Sequence, residues 1–177
     1  MQGKTTAQLR GSWHNFSKYR PLIRELVTRD LKVKYRRSFL GYVWSILNPL
    51  LMMLLQTLVF SYMFRFQIEN FPLYLICGNT LFNFFNESTN MGMGSVLGNS
   101  SLIKKVYVPK FIFPISRVVS SFVNLLFSLA AIILVMLITR SPFHLTILLV
   151  WAPLVLLFLF TCGMALLLSA LAVYFRD

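Results

Sequence analysis

The stretch RDLKVKYRRSFLGYVWSILNPLL, Arg29 to Leu51, changes character at Ser38. Before it, cations crowd at Arg29, Lys32, Lys34, Arg36 and Arg37; after it, no charge appears until Arg65. A basic tract set against an apolar one suits either a nucleic-acid binder or the edge of a membrane span. The rest of the chain decides between them.

The 177 residues are 57% hydrophobic and 12% charged, whereas a soluble domain is about 45–50% apolar and about a quarter charged. The apolar residues gather in uncharged runs at Phe39–Phe64, Asn70–Asn86, Val118–Thr139 and Leu145–Phe175. A helix needs roughly 20 mostly apolar residues to cross the hydrocarbon core. Three runs exceed that length, and the second reaches it by extending past Glu87. The chain reads as an all-α integral membrane protein.

Charge sets its expected sidedness. Residues 1–37 hold ten Lys or Arg against Glu25 and Asp30, a net of +8, and Asn99–Arg117 holds four cations and no acid. Between them Arg65 balances Glu69, and Arg140 stands beside His144. Cations are retained on the cytoplasmic side during insertion, which places both termini and residues 99–115 inside. Nucleic-acid binding calls for cations interleaved with stacking aromatics on a soluble surface; here the cations border spans, so no nucleic-acid partner is expected.

The expected organisation is a cytoplasmic tail at 1–18, an amphipathic interfacial helix at 19–37 and a transmembrane domain at 38–177. Its four spans lie at about 39–64, 71–96, 116–139 and 145–173, by the rule of roughly 20 apolar residues per crossing. A cytoplasmic segment at 99–115 separates the second span from the third. No apolar run of roughly 7–15 residues precedes the first span as a cleavable signal would.

In the interfacial helix Leu22, Ile23, Leu26, Val27 and Leu31 fall on one side, with Pro21 suited to a first turn. Glu25–Arg29 and Asp30–Lys34 stand at the favourable i,i+4 spacing. A basic amphipathic helix of this kind lies in the plane of the interface.

The second span is the least lipid-like. Asn79, Asn83, Asn86, Glu87 and Asn90 recur at steps of three and four. A carboxylate facing lipid at the bilayer centre costs about 2.5–3.5 kcal/mol, so the stripe must face protein or water. It either lines a pathway for a polar substrate or joins helices through hydrogen bonds. In the third span Ser116, Ser120, Asn124 and Ser128 recur every four residues and favour close helix packing. Between these spans, LIKKVYVPK mixes apolar residues with cations, and Pro109 and Pro114 bound its segments. Such an element lies on the membrane or docks into a partner.

Little else carries chemistry. GKTT at Gly3–Thr6 lacks the upstream glycine, strand and helix of a phosphate-binding loop, so no nucleotide site is visible. Cys77 and Cys162 sit in apolar runs as small hydrophobes. His14 and His144 have no companions at metal-ligand spacing. No cofactor or metal is expected.

In this order, LVTRDLKVKYRRSFLGYVWSILNPL (26–50), LIKKVYVPKFIFPIS (102–116) and LSALAVYFRD (168–177) resemble the membrane subunit of type-two ABC exporters. The branch is the one that moves lipid-linked polysaccharides: O-antigen, capsule and wall teichoic acid. The resemblance covers nearly the whole chain. It implies a multi-pass permease of the bacterial inner membrane, acting as a homodimer with separate cytoplasmic ATPase subunits and carrying out no bond chemistry itself. It also implies that Leu102, Ile103, Lys104, Lys105, Val106, Tyr107 and Val108 contact the ATPase. Members of that family usually have six spans, so a re-entrant hairpin and two further spans are expected past Tyr174–Asp177. Two rival readings are an ion-coupled carrier or channel and a membrane-embedded glycosyltransferase-type enzyme. The chain's five acids are a poor supply for either, since coupling and metal-phosphate chemistry both draw on clustered ionisable groups.

Overall fold

The computed structural model describes residues 19–34, 43–64, 70–105, 108–139 and 149–175. The expected tail at 1–18, residues 35–42, the outer connections at 65–69 and 140–148, Val106, Tyr107, Arg176 and Asp177 lie outside the described residues. Among those described, every regular element is helical: α1 at 19–34, α2 at Val43–Phe64, α3 at Phe71–Met93, α4 at Ser95–Gly98, α5 at Ser100–Lys105, α6 at Ile112–Ile138 and α7 at Trp151–Tyr174.

Helices α2, α3, α6 and α7 have 22, 23, 27 and 24 residues. At about 1.5 Å per residue, each exceeds the hydrocarbon core, which is about 30 Å thick. Three of them are also apolar enough to cross a membrane: α2 through Val43–Phe60, α6 and α7. Helix α3 has the length but carries the Asn and Glu stripe, which lowers its apolarity. It packs against α2, α6 and α7, and two residues of the stripe, Asn79 and Glu87, find side-chain partners on other helices.

The boundaries depart from expectation in three places. Helix α3 stops at Met93, where the second span was expected to run to about 96, and after Gly94 the chain continues as the separate short helix α4. The third begins at Ile112, not 116, with Pro114 inside its first turn. The amides of a first turn have no intrahelical acceptor, so a proline there costs no hydrogen bond. Among its described residues, the segment expected at 99–115 accordingly holds α5, a non-helical stretch at 108–111 and the start of α6.

Apolar packing divides by height. Phe84, Val118, Leu125, Leu154 and Ala165 form a buried cluster where α3, α6 and α7 meet. Phe122 lies edge-on to both Phe84 and Phe158 within that cluster. Ile76, Ala131 and Val135 join α3 to α6, with Leu50 and Met53 of α2 against them. A third cluster, Leu26 with Ile112 and Phe113, ties α1 to the start of α6. On the outside, Leu54, Leu55 and Leu58 of α2 and Leu156, Leu159 and Phe160 of α7 are exposed, as suits surfaces turned to acyl chains.

Helices α3 and α7 approach closely at Gly92 and Ala165. A methyl group placed on Gly92 would lie 2.8 Å from the Ala165 Cβ. Around this crossing Ser88 of α3 and Ser169 of α7 are also small and buried, as expected where helix backbones approach within a membrane.

Candidate functional site

The α1 helix does not leave its apolar face to lipid. Leu22, Ile23 and Leu26 pack on Leu102, Ile103 and Val108 and on Ile112 and Phe113. Two of the predicted contact residues, Leu102 and Ile103, are therefore half-buried beneath α1, and Val108 lies in the same cluster. Lys104 and Lys105 are exposed at the end of α5. Val106 and Tyr107 are outside the described residues. The elbow thus has an apolar underside held by α1 and a cationic tip turned outward.

Neither i,i+4 ion pair read in α1 is the one formed. Arg29 reaches Asp30 at 3.3 Å and Asn99 at 3.3 Å. Lys34 pairs with Glu87 of α3 at 2.6 Å, and Asp30 pairs with Arg117 of α6 at 2.8 Å. The physical reason is position. Leu22, Leu26 and Asp30 lie in one i,i+4 row, and the row that buries Leu26 also buries Asp30. A buried carboxylate needs a cationic partner, and Arg117, itself partly exposed, supplies it.

The stripe on α3 splits between protein and open space. The Asn79 amide donates to the Gln56 side-chain carbonyl of α2. Glu87 receives Lys34 on one oxygen and the Asn124 amide on the other, the latter at 3.3 Å. Asn90 turns back along its own helix and donates to the Asn86 carbonyl and side-chain oxygen, each at 2.8 Å. Asn83 and Asn86 are exposed. The serine row on α6 faces this side too: Ser45 of α2 donates to Asn124 at 3.4 Å, and Ser120 to Asp30 at 3.5 Å.

Two cavities follow. One, of about 540 Å³, lies among α1, α3, α4 and α6, with Arg29, Asp30, Asn99 and Arg117 in its wall. The other, of about 360 Å³, lies among α2, α3 and α6, with Trp44, Asn48, Asn83 and Ser128 in its wall. Lys34, Glu87, Ser121 and Asn124 border both. The result is a line of amides, hydroxyls and ion pairs running from the basic end of the bundle into the span region. It can hydrogen-bond a hydroxylated or hydrated species where lipid cannot.

The Asp30–Arg117 and Lys34–Glu87 pairs were not foreseen. The available signal was an acid in the apolar row of α1 and a single cation, Arg117, near the start of an otherwise uncharged helix. Substituting Glu87→Gln keeps an acceptor for Asn124 and removes the pairing charge. Lys34 and Glu87 side chains are 43% and 32% exposed, and exposed pairs contribute about 0.2–1 kcal/mol. The expected result is a fall of no more than a few degrees in the unfolding temperature in detergent, with that small loss reduced at high salt. A fall that is large and indifferent to salt would contradict this placement.

Residues 21–177 match the ABC-2 type transporter family. The O-antigen export system permease protein RfbA of Myxococcus xanthus is 36% identical over 163 residues, covering 90% of this chain and 61% of that protein. The protein of the same name from Klebsiella pneumoniae is 32% identical over 155 residues, covering 86% and 59%. The polysialic acid transport protein KpsM of Escherichia coli is 27% identical over 154 residues, covering 81% and 57%. The chain thus spans about three-fifths of the length of the curated relatives it matches.

Proposed function

This chain belongs to the ABC-2 type transporter family, and from that premise we propose that it is the permease subunit of an ATP-driven exporter. Its cargo is a lipid-linked polysaccharide of O-antigen, capsule or teichoic acid type, moved across the bacterial inner membrane. Both termini and the α5 elbow face the cytoplasm, and α3 is the second of four spans. The substrate class is supported by relatives named for O-antigen export along nine-tenths of the chain. The structural observation that supports the reading is the polar line that enters the spans, whose wall includes Asn99, the residue just before α5.

In this reading a cytoplasmic ATPase subunit grips Lys104 and Lys105, and ATP binding there drives the elbow. Because α1 covers the underside of α5 and the start of α6, the thrust reaches α6 and, through it, α3 and α7. Two copies of the permease enclose the conduit. Asn48, Asn83, Asn86 and Ser128 offer exchangeable hydrogen bonds to sugar hydroxyls. Exposed amides satisfy a moving polar chain without holding it, since each bond lost to one amide is replaced at the next or by water.

Complementation tests this. Cells lacking a polysaccharide exporter's permease, but retaining its ATPase and glycan synthesis, are supplied with this protein and a cognate ATPase subunit. Surface polysaccharide is expected to return, and to fail when the ATPase cannot hydrolyse ATP. Glycan retained inside cells that carry a stable, membrane-inserted protein and its cognate ATPase would defeat the proposal.

A further inference from the structure

Asp30 is the most buried acid among the described residues, with its side chain 5% exposed, and the transport reading gives it no task. Its neighbours belong to three different parts of the chain. On one oxygen it receives Arg117 of α6 at 2.8 Å and Arg29 of its own helix at 3.3 Å; Ser120 of α6 reaches the other at 3.5 Å. Arg29 extends the set, because both its terminal nitrogens lie 3.3 Å from the Asn99 side-chain oxygen. Asn99 sits between α4 and α5 and donates its amide to the Ser95 carbonyl at 2.8 Å. One carboxylate therefore joins α1, the α4–α5 junction and α6.

Directly beside it, the three elements touch through Leu26, Leu102, Ile103, Ile112 and Phe113. Apolar contact is non-directional; two greasy surfaces can slide past one another while staying dry. Charge-assisted hydrogen bonds to a planar guanidinium are directional and fix one register. The apolar patch supplies adhesion, and the Asp30 cluster supplies resistance to shear.

We infer that Asp30 is a positioning residue: it locks α1, the elbow and α6 into one body, so that a push on the α5 tip displaces α6 instead of sliding beneath α1. This rests on the reading that α5 receives the ATPase thrust.

The experiment compares wild type and Asp30→Asn, each with its ATPase partner in liposomes, recording ATP hydrolysed and glycan moved. Hydrolysis is expected to stay within about twofold, while glycan moved per ATP falls about tenfold, within the range by which residues off the binding sites alter coupling. Asp30→Glu, which keeps the charge, is expected to recover most of the ratio. In parallel, amide hydrogen exchange is measured on the permease without the ATPase. In Asp30→Asn, residues 19–34 are expected to exchange about tenfold faster, as local opening does when its restraints weaken, while α7 keeps its protection. An unchanged ratio together with unchanged α1 exchange overturns the inference. If Asp30→Asn also exposes α7, Arg29→Ala takes its place, cutting only the Asn99 arm; about a threefold loss per ATP is expected, and no loss overturns the inference. Wild type that moves no glycan on ATP defeats the transport reading instead, and the exchange of α1 still judges the lock.

Discussion

Replacing Gly92 with alanine is expected to lower the unfolding temperature of the detergent-solubilised protein by many degrees, and Gly92→Leu to leave little folded protein to extract. The added Cβ of alanine meets the Ala165 Cβ at 2.8 Å and the Ala165 Cα at 3.4 Å. Neither atom is the free end of a flexible side chain, so relief requires α3 and α7 to part. Forced overpacking of this kind costs about 1–3 kcal/mol, and separating the helices also loosens Phe84 and Leu154 in the adjoining cluster. The check is reciprocal. Gly92→Ala combined with Ala165→Gly moves the methyl from one helix to the other and is expected to regain most of the lost stability. If the double variant is no better than Gly92→Ala alone, the close crossing of α3 and α7 is wrong.

The opposite pattern is expected of Lys104→Glu with Lys105→Glu. Both side chains are exposed, and among the described residues no ion pair uses either. Stability should therefore hold within about 0.5 kcal/mol, as for surface substitutions generally. Recovery of the ATPase subunit on a tagged permease is expected to fall about tenfold or more, because reversed charges face a surface selected for cations and like-charge contact costs several kcal/mol. Raising the salt should weaken the wild-type complex and narrow the difference. Undiminished recovery of the ATPase would remove the α5 tip from the contact. Together the two experiments separate a site that holds the bundle from one that meets a partner.

Much of this architecture was legible because it rests on local rules. The uncharged runs fall on α2, α6 and α7, and helical spacing in Leu22–Leu31 falls on α1. The polar stripe from Asn79 to Asn90 was visible as one face of a helix. What spacing alone left undecided was which partners divide it: Gln56, Lys34 and Asn124 stand on three other helices. Asp30 fails for the same reason. The i,i+4 rule assigned it Lys34, but its cation lies on α6, and burial outweighs a surface pair that is worth only a few tenths of a kcal/mol, about 0.2–0.5. The early stop at Met93 was signalled by Gly92, Gly94 and Gly98, which mark where regularity weakens but not which glycine turns the chain. Of the expected coupling residues, Leu102 and Ile103 were readable as apolar; that they pack on α1 is a matter of tertiary packing.

The polar face of α3 also bears on how the chain is made. In the proposed topology α3 is a span that must enter the bilayer through a lateral opening weighing greasiness one segment at a time, yet it carries four asparagines and a glutamate. Its predecessor α2 is already present and offers Gln56 to Asn79, so the two can leave the channel as a hairpin. The Asn124 partner of Glu87 is synthesised later. Until α6 arrives, that acid depends on Lys34 alone, and the newborn protein has its weakest point midway through its own assembly.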